Sequence, residues 1–274
     1  MDTIPAPPTP TDRHAHVDDV RVEPVWRAWA GAHGGYVAAL GLDAMRRRLP
    51  PHCADSATVR SVTTQFLAPV RSDTLRLEAA VHPAGRSGAV TTFLGTQDGR
   101  TVVAGSAVFG TGRPGPDRLA PTMPDVPPAE GLTSFALPAD LVPFGQLLDI
   151  RPATSVLPLS GSPDAELTAW VRFLDGRPVD SPTGLVLADA LPAGIFARWR
   201  RPRPVPSADL TAHFTGETTE GWALVRIRTD HAAHGWTIDD SSVWSADGRL
   251  ILMARQSRRI TQSAATPPHL DLSA

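Results

Sequence analysis

One cysteine, Cys53, stands in 274 residues. A single cysteine excludes an internal disulfide framework and fits a reducing compartment, so a cytoplasmic location is expected. It lies in the polar, proline-flanked run Pro50–Asp55, which reads as a surface loop rather than the setting of a nucleophile. An excess of one charge is also missing. The 26 basic and 28 acidic residues leave a formal charge of −2, so the chain lacks the basic face that nucleic acid or an anionic membrane requires. No apolar run approaches the ~20 residues of a membrane helix, and no membrane insertion is expected. The opening stretch Met1–Thr11 is proline-rich and polar and lacks the basic and apolar regions of a signal peptide. Tails are expected over 1–17 and 263–274.

Several chemistries are absent as well. There is no G-x-S-x-G elbow, which disfavours an α/β-hydrolase. Gly110–Gly115 spells the dinucleotide pattern G-x-G-x-x-G, but prolines rather than a helix follow it, so no helix N-terminus awaits a pyrophosphate. His231 and His234 flank a turn with no further ligand nearby, so neither a metal nor a cofactor is expected.

What the sequence does contain is a repeat. Thr96–Ala104 and Ser245–Met253 each read as strand, Asp-Gly turn and apolar strand, 149 residues apart. Gly35–Leu40 and Gly184–Asp189 are glycine-led apolar runs at the same separation. Ser61–Phe66 and Asp209–Phe214 form a third pair, offset by 148. Three matches in one order at nearly one spacing imply two similar halves. The proline-dense stretch Gly112–Pro128 between them cannot be regular structure and reads as an extended linker over the surface.

Each half starts with a helix. The first is expected over about Gly35–Leu49, apolar on nearly every side and therefore buried, with Arg46–Arg48 complementing its C-terminal dipole. The second covers Thr183–Ala190, with Ser181 as cap and Pro182 in the first turn. Strands are expected at Val59–Leu67, Thr74–His82, Ala89–Gln97 and Arg100–Phe109, then at Ala208–Thr215, Trp222–Thr229, Thr237–Trp244 and Arg249–Ile260. The fold class is α+β: an antiparallel sheet around one apolar helix, made twice.

Two side chains stand out. Asp189 is a lone carboxylate among Leu185–Leu191, costly there unless hydrogen bonds or a cavity compensate it. It reads as a general base or anchor for a water, or as an aspartate on a locally exposed face near Pro192. Gln256 shares the parity of Leu250, Leu252 and Ala254, so its amide faces inward and needs a partner, catalytic or merely structural.

Gly34–Leu40 resembles the Gly-Gly start of the central helix of acyl-CoA thioesterase II proteins, and Asp247–Ser257 resembles their closing hairpin. The similarity spans about residues 20–262. It implies two tandem hotdog domains, 18–111 and 131–262, joined through a linker over 112–130 into an intramolecular pseudo-dimer. It further implies hydrolysis of an acyl-CoA or acyl-carrier thioester, without a bound cofactor. That family holds its attacking water with an Asp, a Ser or Thr, and a Gln. By position these are Asp189, Ser207 and Gln256, with Thr211 close enough to compete for the hydroxyl's place. A carboxylate attacking first, to give an anhydride, stays open. The first half has Leu40 and Ala107 where the second has Asp189 and Gln256, so only one half is chemically equipped. The helix start His33, Gly34, Gly35 and Tyr36 is the candidate substrate-binding segment, its backbone N–H groups facing an oxyanion; His33 also has a packing or capping reading. Self-association into a homo-oligomer is expected from the resemblance. The alternative is a non-hydrolytic acyl-binding protein, for which serine in place of threonine and the arginine-rich stretch Arg198–Arg203 leave room.

Overall fold

A computed structural model of the chain describes residues 16–54, 57–71, 73–83, 88–113, 115–117 and 119–261. The expected tail over 263–274, and the other over 1–15, lie outside the described residues. Strand β1 (His16–Arg21) begins inside the stretch expected to be a tail.

The first half continues with a two-residue ribbon, β2 (Arg27–Ala28) and β3 (Gly31–Ala32), and helix α1 (Gly34–Arg46). Val37, Ala38, Leu42, Ala44 and Met45 of α1 are all at most 1% exposed, so the helix is buried over most of its length, as the uncharged run Tyr36–Leu42 requires, with Arg46 exposed at its end. Burying Val37, Leu42 and Met45 contributes about 1.5–3 kcal/mol each. The helix ends three residues before the expected Leu49, and Pro51–Ala54 forms the short helix α2. Cys53 sits there at 1% exposure between exposed Pro51 and Ala54, so the expected surface loop is a short surface helix that turns its one apolar thiol into the core. Four strands follow: β4 (Thr58–Phe66), β5 (Thr74–Pro83), β6 (Gly88–Gln97) and β7 (Arg100–Gly110).

The second half adds β8 (Leu148–Pro152) and β9 (Glu166–Phe173), helix α3 (Ser181–Ala188), then β10 (Asp209–Phe214), β11 (Ala223–Ala233), β12 (Trp236–Ser245) and β13 (Leu250–Arg259). Asp180, not Ser181, caps α3: its carboxylate accepts from Thr183 N while the Thr183 hydroxyl receives the Asp180 N–H. This reciprocal box satisfies two donors at once. The helix closes at Ala188, so Asp189 is its C-cap (φ −117°) rather than a residue within it.

Eleven strands form one sheet in the order β1-β5-β6-β7-β4-β10-β13-β12-β11-β9-β8, antiparallel throughout. The halves meet where β4 pairs with β10. There Thr63 lies opposite Thr211, with their hydroxyls 3.2 Å apart. These are the two positions that the sequence repeat makes equivalent, and Asp209↔Gln65 on one side is mirrored by His213↔Ser61 on the other. Behind this seam α1 packs directly on α3. A Cβ on Gly35 would lie 2.3 Å from the Leu185 carbonyl oxygen, so only glycine permits this approach.

The proline-dense stretch is irregular among its described residues, as expected, but it is fastened down. Trp170 and Trp244 donate their indole N–H groups to the carbonyls of Pro127 (2.8 Å) and Pro121 (3.4 Å). Met123, Val126 and Ala129 pack on Trp170, Leu224 and Trp244, making a second apolar cluster apart from the main core.

Candidate active site

The C-cap position throws the Asp189 side chain across the helix pair, into the first turn of α1. Its carboxylate is 8% exposed and accepts from both halves of the chain. Gly35 N–H donates to Oδ2 (3.0 Å), and His33 Nε2 lies 3.4 Å from the same oxygen. Gln256 Nε2 (3.2 Å) and Arg258 Nη2 (2.9 Å) donate to Oδ1. A Cβ on Gly34 would fall 2.9 Å from Oδ2, so the second glycine gives the carboxylate its room.

Gln256 is fully buried on β13 and continues the relay: its Oε1 accepts the Ser207 hydroxyl at 2.8 Å. With the oxygen committed to Ser207 and the nitrogen to Asp189, the amide can sit only one way round. Asp189, Ser207 and Gln256 are therefore brought together in one line of hydrogen bonds. Thr211 is not among them, since its hydroxyl is held in the β4–β10 seam.

The helix start contributes otherwise than its sequence suggests. Gly35 N–H goes to Asp189, and Tyr36 N–H goes to His33 Nδ1 (3.2 Å). Gly34 keeps the first-turn N–H that has no acceptor among the described residues. Tyr36 stacks on Trp26, ring centroids 4.5 Å apart and nearly parallel. His33 is 3% exposed beneath Phe144 and bonds the Asp189 carbonyl through Nε2 at 2.8 Å. That oxygen demands a proton on Nε2 while Tyr36 N–H demands a lone pair on Nδ1, which together define the neutral tautomer. Burial likewise lowers the His33 pKa below 6.5, with only partial opposition from Asp189. His33 is thus a cap and a brace, with no lone pair left to act as a base.

Two residues of the site escaped the sequence reading. Arg258, 7% exposed, stands between Asp189 and Asp239, its Nε 3.0 Å from Asp239 Oδ2. Asp239 is fully buried and also accepts from the hydroxyls of Thr229 and Thr237. Burial alone would raise the Asp189 pKa, but Arg258, then His33, the Gly35 N–H and Gln256 outweigh it and hold the carboxyl below its usual 3.8. The signal for Arg258 was available: it shares the inward parity of Ala254 and Gln256. Asp239 had no such signal, because β12 turns Thr237, Asp239 and Ser241 inward and leaves Trp236 and Ile238 exposed.

Past the end of α3 lies a narrow apolar cleft of only about 20 Å³. Leu191 and Pro192, two and three residues beyond Asp189, form one wall; Leu137, Ile150, Val156 and Leu167 form others. Among the described residues no group of three or more His, Cys, Asp or Glu side chains is placed to hold a metal. Among the described residues no helix is long and apolar enough to cross a membrane.

Comparison with known proteins agrees with this layout. Residues 22–110 match the family described as the acyl-CoA thioesterase N-terminal domain, and residues 116–260 the acyl-CoA thioesterase C-terminal domain. A search of curated proteins found no match. Among solved structures, a conserved protein of unknown function with a hot dog fold from Alicyclobacillus acidocaldarius superimposes with a TM-score of 0.82 at 26% identity, covering 90% of this chain and 94% of the other. An acyl-CoA thioesterase II from Mycobacterium marinum gives 0.69 at 20% identity over 84% and 90%. A 12:0-ACP thioesterase from Umbellularia californica gives 0.55 at 11% identity over 90% and 94%.

Proposed function

We propose that this chain, which belongs to the acyl-CoA thioesterase family, hydrolyses a fatty-acyl thioester with Asp189, Gln256 and Ser207 as its working side chains. The relay from Ser207 through Gln256 to Asp189, laid at the positive end of α1, carries the reading. A carboxylate held ionised and a hydroxyl whose proton is given to Gln256 present two acceptors to one water. Asp189 takes that water's proton as its oxygen attacks the thioester carbonyl, and the Gly34 N–H donates to the developing oxyanion; as the tetrahedral centre collapses the C–S bond breaks, and the departing sulfur takes the proton from Asp189 to leave acid and free thiol. Both oxygens of Asp189 already hold two neighbours each, so one contact must be released to the water, or to the carbonyl carbon in the anhydride route, which stays open.

The remaining sequence expectations are retained in this reading. The two hotdog units, over 18–111 and 131–262 with 112–130 between them, make an internal pseudo-dimer about the Thr63–Thr211 pair. The symmetric register across β4 and β10 supports this. Work in the cytoplasm and self-association are the expected setting. Steady-state release of free thiol from acyl-CoAs of several chain lengths tests the whole. A large drop in turnover in Asp189→Asn is the expected result; a native chain that releases no thiol at any length points instead to a non-hydrolytic acyl-binding protein.

A further inference from the structure

The segment between Asp189 and Ser207 carries Arg198, Arg200, Arg201 and Arg203 around Trp199. All four arginines are exposed. None has a carboxylate partner among the described residues. Elsewhere exposed arginines either pair with a carboxylate, as Arg27 with Asp73, Arg47 with Asp18, Arg249 with Glu217 and Arg255 with Asp240, or stand unpaired singly among the described residues, as Arg76 and Arg100 do. Four uncompensated cations within six residues are therefore a local property, set in a chain of slight negative charge.

The segment is also built into the fold. Its backbone carbonyls accept from a neighbouring loop: Phe196 from Leu159 N–H (2.7 Å), Ala197 from Ser162 N–H (2.9 Å) and Trp199 from Gly161 N–H (3.2 Å). Gly161 adopts φ +71°, and a Cβ there would lie 2.7 Å from the Arg200 guanidinium carbon, so that cation lies against bare backbone. Rings line the same surface. Arg203 sits over Trp199 at 5.2 Å, Phe196 is 5.2 Å from Trp199, and Trp29, 38% exposed, meets Phe196 edge-on at 6.4 Å. Trp29 lies four residues before His33, so this cluster joins the two segments that build the carboxylate site.

We infer that this surface holds the nucleotide end of coenzyme A, the adenine with its 3′-phosphate and 5′-diphosphate. The inference rests on the thioesterase reading and names the carrier for it. The fold leaves the carrier open, since both the acyl-CoA and the ACP thioesterase above share it. The chemistry of the surface decides. Guanidinium forks bind phosphate bidentately, and exposed indole and guanidinium planes stack a purine. A carrier protein would offer no base to stack, and would spread its contacts over about 800 Å² of surface rather than one six-residue segment.

Calorimetric titration of the full chain with adenosine 3′,5′-bisphosphate and with coenzyme A tests this, beside the double variant Arg198→Gln/Arg201→Gln. Both positions are exposed, and near-ultraviolet circular dichroism checks that the variant folds. Native protein should bind both probes, more weakly as salt rises; the variant should lose at least about tenfold in affinity. In kinetics, the native preference for acyl-CoA over acyl-pantetheine of the same chain length should reside in KM and shrink in the variant. Failure of both probes to bind native protein overturns the site. So does an equal loss on both substrates, or a preference for acyl-carrier protein that the variant abolishes. Turnover of acyl-pantetheine in those cases leaves the hydrolase standing. Bisphosphate binding without turnover of any thioester refutes the hydrolase and keeps the nucleotide site.

Discussion

Asp189 is bound on all sides, and replacing it tests chemistry and stability together. Asp189→Asn should lower turnover roughly 10²–10⁴-fold, the usual contribution of a positioned base. A lone carboxylate in an apolar helix would strain the fold, and its loss would raise the melting temperature. Here the carboxylate faces Arg258 instead, so the amide leaves a buried cation short of a partner, and the variant should melt lower than native protein. Arg258 acts through Asp189. Arg258→Met should destabilise the fold by about 3–5 kcal/mol, because it strands Asp189 and Asp239. In the surviving folded enzyme the Asp189 pKa should rise, moving the acid limb of the kcat–pH profile upward; an unmoved limb would reduce Arg258 to a structural role. The pH dependence of stability follows from the two depressed groups. The His33 contribution is complete above 6.5, where the unfolded chain is also neutral, and fades as pH falls toward its lowered folded value. The Asp189 contribution is complete above 3.8 and fades as pH falls through its own lowered value. His33→Gln keeps one acceptor for Tyr36 and one donor for the Asp189 carbonyl. Denaturation series should therefore show a flatter loss just below pH 6.5 in that variant, and an unchanged slope would contradict the assignment.

The helix pair is where packing and chemistry share a backbone. Gly35→Ala forces a Cβ to within 2.3 Å of the Leu185 carbonyl oxygen. The helices must part, at a cost of at least about 1–3 kcal/mol, and the Gly35 N–H must leave Asp189. Activity per folded molecule should fall along with the melting temperature; retention of full activity would show that this donor does not matter. Much of this was legible in the sequence. The eight strands expected from alternation and turn residues all exist, within a few residues of the expected ends. β11 alone runs four residues past Thr229, through His231 to Ala233, on a polar extension that no hydrophobic pattern marks. What stayed hidden was short or two-sided. β1 and β8 are edge strands of five or six residues, and β9 buries both faces, one on the core and one on the fastened linker, so alternation is lost. In the site, Asp189, Gln256 and the glycines were visible as polar or small residues in apolar runs. Asp239 was not, because its strand reverses the usual rule and buries its polar side.

At the scale of the molecule, one sheet and one main core run through both halves, with β4 and β10 paired at the centre and α1 against α3. Calorimetry should show one cooperative unfolding transition; two separable transitions would mean that the halves are independent units. Leu40, the repeat partner of Asp189, is only half-buried. Leu40→Ala should therefore cost less than the 2–5 kcal/mol of a fully buried leucine, with activity lost only as the folded fraction is lost. The donor that Gly35 sends to Asp189 crosses from one half to the other, and this bears on ancestry. If such a chain arose by fusing two copies of one gene, the copy that lost its acid did not become free to drift. Its glycine pair and capping histidine remain under selection through a reaction whose reagent side chains are encoded some 150 codons downstream. Drift is permitted at the vacated positions, where Leu40 and Ala107 now stand.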